Sequence, residues 1–455
     1  MIKVLWLCNM MLPMIAQHFR LEASNKEGWL SGLAEVMLER KAENGIELAI
    51  AFPAPQQLLP AGEEVLQKKI PAGNSQIECY GFAEDTVNPH VYEEALEDRM
   101  RKIIELAAPD MVHCFGTEYP HTLAMCRVFP DKSKLLITIQ GLCSVYANVY
   151  EADLPKEVIQ KRTFRDWIKK DSIPEQKAKF RARGRAEIEA LSLAGNIGGR
   201  TDWDRHYANE YHPEAKYHVM RETLRSNFYE GSWKKENCEP HSIFLSQGDY
   251  PIKGLHYMLL ALPKILEKVP DAHVYVAGNS IVGYETWKEK LKISAYGKYL
   301  RSLMTQYGLK GKVTFLGKLD SREMKERYLR SHLFVCCSAI ENSPNSLGEA
   351  MLLGMPCVTA DVGGIPSIFS IGEDGVGYHG TRSRENSYDR DSCEEGDCLA
   401  KIAERLGVAV LKIWEDEKKL AGYLEHAREH ALRNHDRQAN YEQTVETYGK
   451  IVGAE

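Results

Sequence analysis

Two glutamates eight positions apart, Glu341 and Glu349, bracket the run ENSPNSLGE. A carboxylate accepts two hydroxyl hydrogen bonds at once, so such groups suit the neutral, hydroxyl-rich parts of a ligand. Between them Asn345, Ser346 and Leu347 lie where the pattern opens a helix. A helix N-terminus offers unpaired N–H groups and the positive end of the helix dipole to a phosphate. Hydroxyls, diphosphate, hydroxyls is the order of parts in a nucleotide sugar. A structural reading competes, because Ser346-x-x-Glu349 also spells a capping box, which would make Glu349 a helix-start residue and nothing more.

The elements needed to hold these side chains can be read around them. Phe334–Cys336 ends a buried strand, Asn342–Asn345 with Pro344 makes a turn, Leu347–Leu353 is helical, and Pro356–Thr359 starts another strand. Similar alternation runs through the chain. In the first half, strands Lys3–Cys8, Glu47–Phe52, Met111–Cys114 and Leu135–Ile139 alternate with helices Leu30–Arg40, Tyr92–Leu106 and His121–Arg127. The second half restarts at Ser242–Leu245 and continues through strands Ala272–Ala277, Val313–Phe315 and Leu333–Cys336, separated by helices. This is an α/β pattern of two doubly wound parallel sheets, whose ligand sites fall at the carboxyl ends of strands.

Bulk properties set limits. A chain of 455 residues suits two domains, and 44% hydrophobic with 27% charged residues marks a soluble globular protein. A net charge of -6 gives no reason to expect nucleic-acid binding. The 11 cysteines show no convincing metal-ligand spacing, Cys393 and Cys398 included, so no metal is expected. The start, MIKVLWLCNMMLPM, reads as a buried strand and not a signal peptide, and no stretch is long and apolar enough to span a bilayer. The expected location is the cytoplasm.

The glutamate run continues with Glu349-Ala350-Met351, Gly354, Pro356, Gly363-Gly364 and Pro366. Together these resemble the donor-site signature of the retaining glycosyltransferases of family four (glycosyl transferases group 1), of the type found in bacterial polysaccharide biosynthesis. The resemblance implies the GT-B fold: two Rossmann-like domains facing a central cleft, with the last helix, Tyr441–Ile451, crossing back to the first. It places an N-terminal acceptor-side domain at 1–232 plus 435–455 and a nucleotide-sugar-binding domain at 233–434. It implies transfer of a sugar, with retention and without metal or other cofactor, from a nucleotide-diphosphate-sugar, UDP- or GDP-linked, to a hydroxyl of a glycan or lipid-linked glycan.

On this resemblance Glu341 serves the donor sugar and Glu349 the ribose hydroxyls. The lysine of Lys253-Gly254, with the amides of Asn345, Ser346 and Leu347, serves the diphosphate, where its ammonium neutralises charge on the leaving group. The family's companion arginine is missing, since position 248 is Gly, and Arg225 or Arg200 are candidates to replace it. Gly28, in Lys26-Glu27-Gly28-Trp29, stands where a glycine loop lets backbone approach phosphate. Gln140 stands where relatives carry a histidine near the donor sugar, and Gly116-Thr117-Glu118 resembles the acceptor side. His113 and His121 also read as packed residues.

Residues 155–189 hold eleven Lys or Arg against six Asp or Glu, with Val158, Ile159, Phe164, Trp167 and Ile168 at amphipathic spacing and Pro174 expected to end the helix. A peripheral contact with the inner face of a membrane is one reading and a solvated surface helix the other. The acidic stretch Arg384–Asp397 reads as a solvated insertion. Two rival functions share the fold: an epimerase acting on the nucleotide sugar alone, and a degenerate protein that binds it without turnover.

Overall fold

The computed structural model of the chain describes residues 1–22, 28–72, 75–282, 286, 291–380 and 397–453. Lys26-Glu27 of the expected glycine loop, and the acidic stretch up to residue 396, lie outside the described residues. The chain divides into two compact units.

The first unit comprises Met1–Val145, Lys179–Arg225 and His435–Glu455. Its strands are β1 (Ile2–Cys8), β2 (Ile46–Pro53), β3 (Val65–Ala72), β4 (Ser75–Phe82), β5 (Met111–Phe115), β6 (Leu135–Thr138), β7 (Asn196–Gly199) and β8 (Lys216–Val219). They form one sheet in the order β3-β4-β2-β1-β5-β6-β7-β8, parallel except for the antiparallel pair β3-β4. Strand β5 is buried at every position and β1 from Val4 onward, as continuous apolar runs require when helices cover both faces. The last helix, Arg437–Val452, puts Tyr441 and Tyr448 into this unit's core beside Trp6 and Leu136.

The second unit comprises Tyr146–Ala178 and Ser226–Asn434. Its strands are β9 (Glu239–Leu245), β10 (His273–Ala277), β11 (Val313–Gly317), β12 (Ser331–Cys336), β13 (Cys357–Asp361) and β14 (Val376–His379). The order is β11-β10-β9-β12-β13-β14, parallel throughout. Trp233 ties the incoming chain to this sheet: its amide donates to the Leu353 carbonyl and its indole N–H to the Ser331 carbonyl, both at 2.7 Å.

Two local expectations are corrected. Pro174 does not end a helix; it is the second residue of the long helix Ile173–Leu193, where its missing N–H costs nothing. Ser346 does not cap a helix either. The helix runs Asn345–Leu352 with Pro344 at the cap position and no side-chain cap, so the capping-box reading of Ser346 and Glu349 falls.

Candidate active site

In the second unit β9 and β12 lie side by side at the centre of the sheet, where strand order reverses direction. Loops leaving two such strands diverge and open a crevice at their carboxyl ends. The loop after β9 carries Lys253 and the loop after β12 carries Glu341. They are joined to each other before any side-chain chemistry is considered. The Ala339 amide donates to the Ile252 carbonyl at 2.7 Å, and the Cys337 thiol reaches the Gly254 carbonyl at 3.3 Å. Gly254 has φ +72°, and a Cβ there would lie 1.9 Å from the Cys337 carbonyl oxygen, so only glycine permits this approach.

Lys253 Nζ donates to Glu341 Oε1 at 2.6 Å, and the Ser338 hydroxyl donates to the same oxygen at 2.7 Å. Burial opposes the ammonium, but the Glu341 carboxylate and Tyr250 outweigh it and hold Lys253 well above its ordinary pKa. The lysine is therefore a fixed cation. Glu341 is held from the far side too: its carbonyl accepts the Gly364 amide at 2.9 Å, and a Cβ on Gly363 would come within 2.0 Å of that oxygen. The glycine pair seen in the sequence thus positions the loop that carries Glu341.

Ser246, Gln247, Lys253, Ser338, Glu341 and Ser346 line a small pocket at this point. The helix Asn345–Leu352 begins beside it with no side-chain cap. Leu347 N–H donates to the Pro344 carbonyl at 2.9 Å, so the amides ahead of it, Asn345 and Ser346, are the ones placed to meet an anion. Asn345 Oδ1 is buried and lacks a hydrogen-bond partner among the described residues. Glu349 is 3% exposed on the same helix and is not among the residues lining the pocket. Burial pushes the Cys336 thiol up to about 11, so it is no nucleophile.

Position 248, where the family's arginine is missing, is tightly packed. A Cβ on Gly248 would lie 2.8 Å from Leu255 Cδ2 and 3.0 Å from Val276 Cγ1, so a side chain there would require these two methyl groups to shift. The proposed substitutes belong to the first unit. Arg200 is engaged within it, 3.0 Å from the buried Glu222 and donating to the Ile139 carbonyl at 2.9 Å. Arg225 is half-buried at the end of that unit. Gly28 opens the helix Gly28–Glu39 that follows β1, and Gln140 follows β6 at the carboxyl end of the first sheet.

Neither histidine flagged earlier is available for chemistry. His113 is buried inside β5 between Thr138 and Tyr448, and burial lowers its pKa well below the usual value. His121 is buried against Glu84 at 2.8 Å. The residues that sequence reasoning missed are Ser338, Gln247 and Tyr250, the last beneath Lys253 with Nζ 5.8 Å from its ring centre. No spacing rule singles them out; adjacency to Lys253 was the available signal for Gln247 and Tyr250.

Two α/β units built on such sheets, with a charged site at the switch point of the second, define the GT-B class. Residues 230–387, which contain Lys253, Glu341 and Glu349, match the family described as glycosyl transferases group 1. Spore coat protein SA of Bacillus subtilis (strain 168) is 28% identical over 160 residues, 34% of this chain and 40% of that protein. An uncharacterized glycosyltransferase of Methanocaldococcus jannaschii is 31% identical over 124 residues, 27% of this chain and 28% of its own. The chain thus spans less than half the length of these curated relatives. Sucrose-phosphate synthase from Thermosynechococcus elongatus superposes with a TM-score of 0.63 at 14% identity over all of both chains. HepE from Anabaena, solved with UDP and glucose, gives 0.61 at 15% identity over 99% of this chain and 100% of its own. At such identities the likeness is one of fold.

Proposed function

We propose that this protein transfers a sugar, with retention, from a nucleotide-diphosphate-sugar to a hydroxyl of a glycan or lipid-linked glycan. The observation that carries the reading is the Lys253–Glu341 pair at 2.6 Å, set beside an uncapped helix N-terminus at the switch point of a group 1 domain. The diphosphate lies against Lys253 and the Asn345 and Ser346 amides, Glu341 meets donor-sugar hydroxyls, and Glu349 meets the ribose. The bond from the anomeric carbon to the phosphate oxygen breaks as the acceptor oxygen bonds to the same face. The acceptor proton passes to the departing phosphate oxygen, which Lys253 stabilises. No metal or cofactor takes part in this scheme. Among the described residues no cluster of His, Cys, Asp or Glu gathers as for a metal ion, and no helix is long and apolar enough to cross a membrane. On this reading Gly28, Gln140 and Arg225 contribute further donor contacts, and residues 155–189 give a peripheral membrane contact at the inner face.

A thermal-shift panel of UDP-, GDP- and ADP-sugars without added metal tests this, run beside Glu349→Ala. A ligand that binds only the folded chain raises Tm by mass action. A shift with one nucleotide class that is lost in the variant supports the reading, and transfer assays with that donor then follow. A changed sugar formed from donor alone would favour an epimerase. No shift with any class would sink the proposal.

A further inference from the structure

Large apolar side chains clustered in water usually mark a surface that something covers. Phe164, Trp167 and Ile168, at 55%, 68% and 58% exposure, fall within five consecutive positions of this chain. They lie on the short helix Phe164–Lys169, whose polarity is reversed, since the residue it buries is Asp166. Thr163 and Asp166 close a capping box at 3.2 and 3.1 Å. Asp166 Oδ2 also accepts the Ala295 amide at 2.9 Å, at the start of the helix Ala295–Gln306. One carboxylate therefore serves two helix starts and fixes the short helix to the second unit with its apolar side chains outward. Phe164 and Trp167 stack, ring centres 6.3 Å apart, as one continuous apolar surface.

The charges around this surface have one predominant sign. Residues 155–170 hold six Lys or Arg against two acids, Glu157 and Asp166, in a chain of net charge -6. Asp166 is spent on the caps. Arg165 pairs with Asp171 at 2.7 Å and Arg162 with Glu175 at 3.4 Å. Lys161, Lys169 and Lys170 are exposed and, among the described residues, make no ion pair. Aromatic rings rimmed by unspent cations match a bilayer interface, where rings lodge at headgroup depth and lysines reach lipid phosphates. A second copy of the chain fits less well. Three partly exposed side chains fall short of the roughly 800 Å² per partner of a stable dimer, and self-pairing would set cations against cations.

We infer that the helix Phe164–Lys169 is an anchor for anionic lipid surfaces, with Phe164, Trp167 and Ile168 inserting and Lys161, Lys169 and Lys170 reading the headgroup charge. This narrows the membrane contact proposed above to one helix, and it stands whether or not the chain transfers a sugar. Flotation of the full chain with vesicles of phosphatidylcholine alone, or of equal parts phosphatidylcholine and phosphatidylglycerol, tests it. The wild type should float with the mixed vesicles and be released by high salt. The triple variant F164S/W167S/I168S should lose about tenfold or more of that binding at unchanged Tm. Replacing Lys161, Lys169 and Lys170 by Gln should abolish the preference for the anionic mixture while leaving the aromatic surface intact. Wild type that stays with the soluble fraction, or a triple variant that floats as well, overturns the inference; so does a wild-type dimer that dissociates in the triple variant while neither form floats. The nucleotide-sugar thermal shift is measured on the same samples. Its absence with flotation intact rejects the transferase reading and leaves the anchor standing.

Discussion

A lysine and a glutamate 2.6 Å apart near a protein surface are ordinarily a weak stabiliser, but here both are largely withdrawn from water and both are held by backbone. That makes them costly to separate and well placed to act. Lys253→Met should lower the transfer rate by about 10²–10³-fold, the loss seen when one donor to a developing anion is removed. Glu341→Gln should weaken donor-sugar binding while keeping the loop shape. Rates measured on the two single variants and the double variant decide whether the pair acts as a unit, since independent residues would show additive losses. The glycine that supports Glu341 gives a separate expectation. Gly363→Ala forces a Cβ to within 2.0 Å of the Glu341 carbonyl oxygen at φ +56°, so the loop must shift. We expect a loss of about 2–4 kcal/mol in urea unfolding, and an unchanged midpoint would contradict the packing described.

Elements that are long and apolar were legible in the sequence, and short or polar ones were not. The expected helices Leu30–Arg40, Tyr92–Leu106 and His121–Arg127 are found within a few residues, as Gly28–Glu39, Ala95–Ala107 and Pro120–Val128, and the apolar cores of β1, β5, β9 and β12 fall where they were read. Strands β7, with the sequence NIGG, and β8, half-exposed at the sheet edge, carry too little apolar alternation to be read as strands. The hairpin β3-β4 was missed for a related reason: Gln67, Lys68 and Lys69 face water on an edge strand. Of the candidate site, Glu341 could be read from its spacing to Glu349, and Lys253 only through the resemblance to the family, since a lone lysine ahead of a helix is ordinarily just solvated. The bonds that bind their two loops together run mostly through backbone and leave no such trace. Helix Leu255–Lys268 shows why Tyr146–Ala178 clusters with the second unit. His256 Nε2 meets the Ala152 carbonyl at 2.8 Å and the Tyr257 hydroxyl donates to Asp153 at 2.6 Å. Burial lowers the His256 pKa to about 4, against 6.5 for an unburied imidazole. The unfolded chain therefore binds more protons between these values, so the neutral ring contributes its full share above pH 6.5 and loses it as pH falls towards 4. The difference amounts to about 3 kcal/mol. Melting curves from pH 8 to 4 should show a shallower acid decline in His256→Gln than in the wild type, and parallel declines would rule out this origin.

Across the whole molecule the chain passes between its two units repeatedly, leaving the first at Val145 and at Arg225 and returning at Lys179 and His435. The last departure and the last return are tied together inside the first unit, where His435 Nδ1 lies 2.7 Å from the Glu222 carbonyl. Both connections to Ser226–Asn434 are thereby fixed at one place. What holds the returning segment is Tyr448, fully buried in the core of the first sheet. Its hydroxyl accepts the Trp6 indole N–H at 2.8 Å and lies 2.6 Å from His113 Nδ1. Tyr448→Phe keeps the ring and removes only that oxygen, leaving a buried indole N–H without its acceptor. An unmet buried polar group costs about 1–3 kcal/mol, enough to lower Tm by several degrees. Apolar packing of Tyr441, Val445 and Ile451 is untouched by the change, so the first unit should still fold. If the returning helix were held by packing alone, the variant would melt with the wild type. Loss of stability in Tyr448→Phe, restored in part when Trp6 is also made Phe, would locate the tie in the hydrogen bond itself.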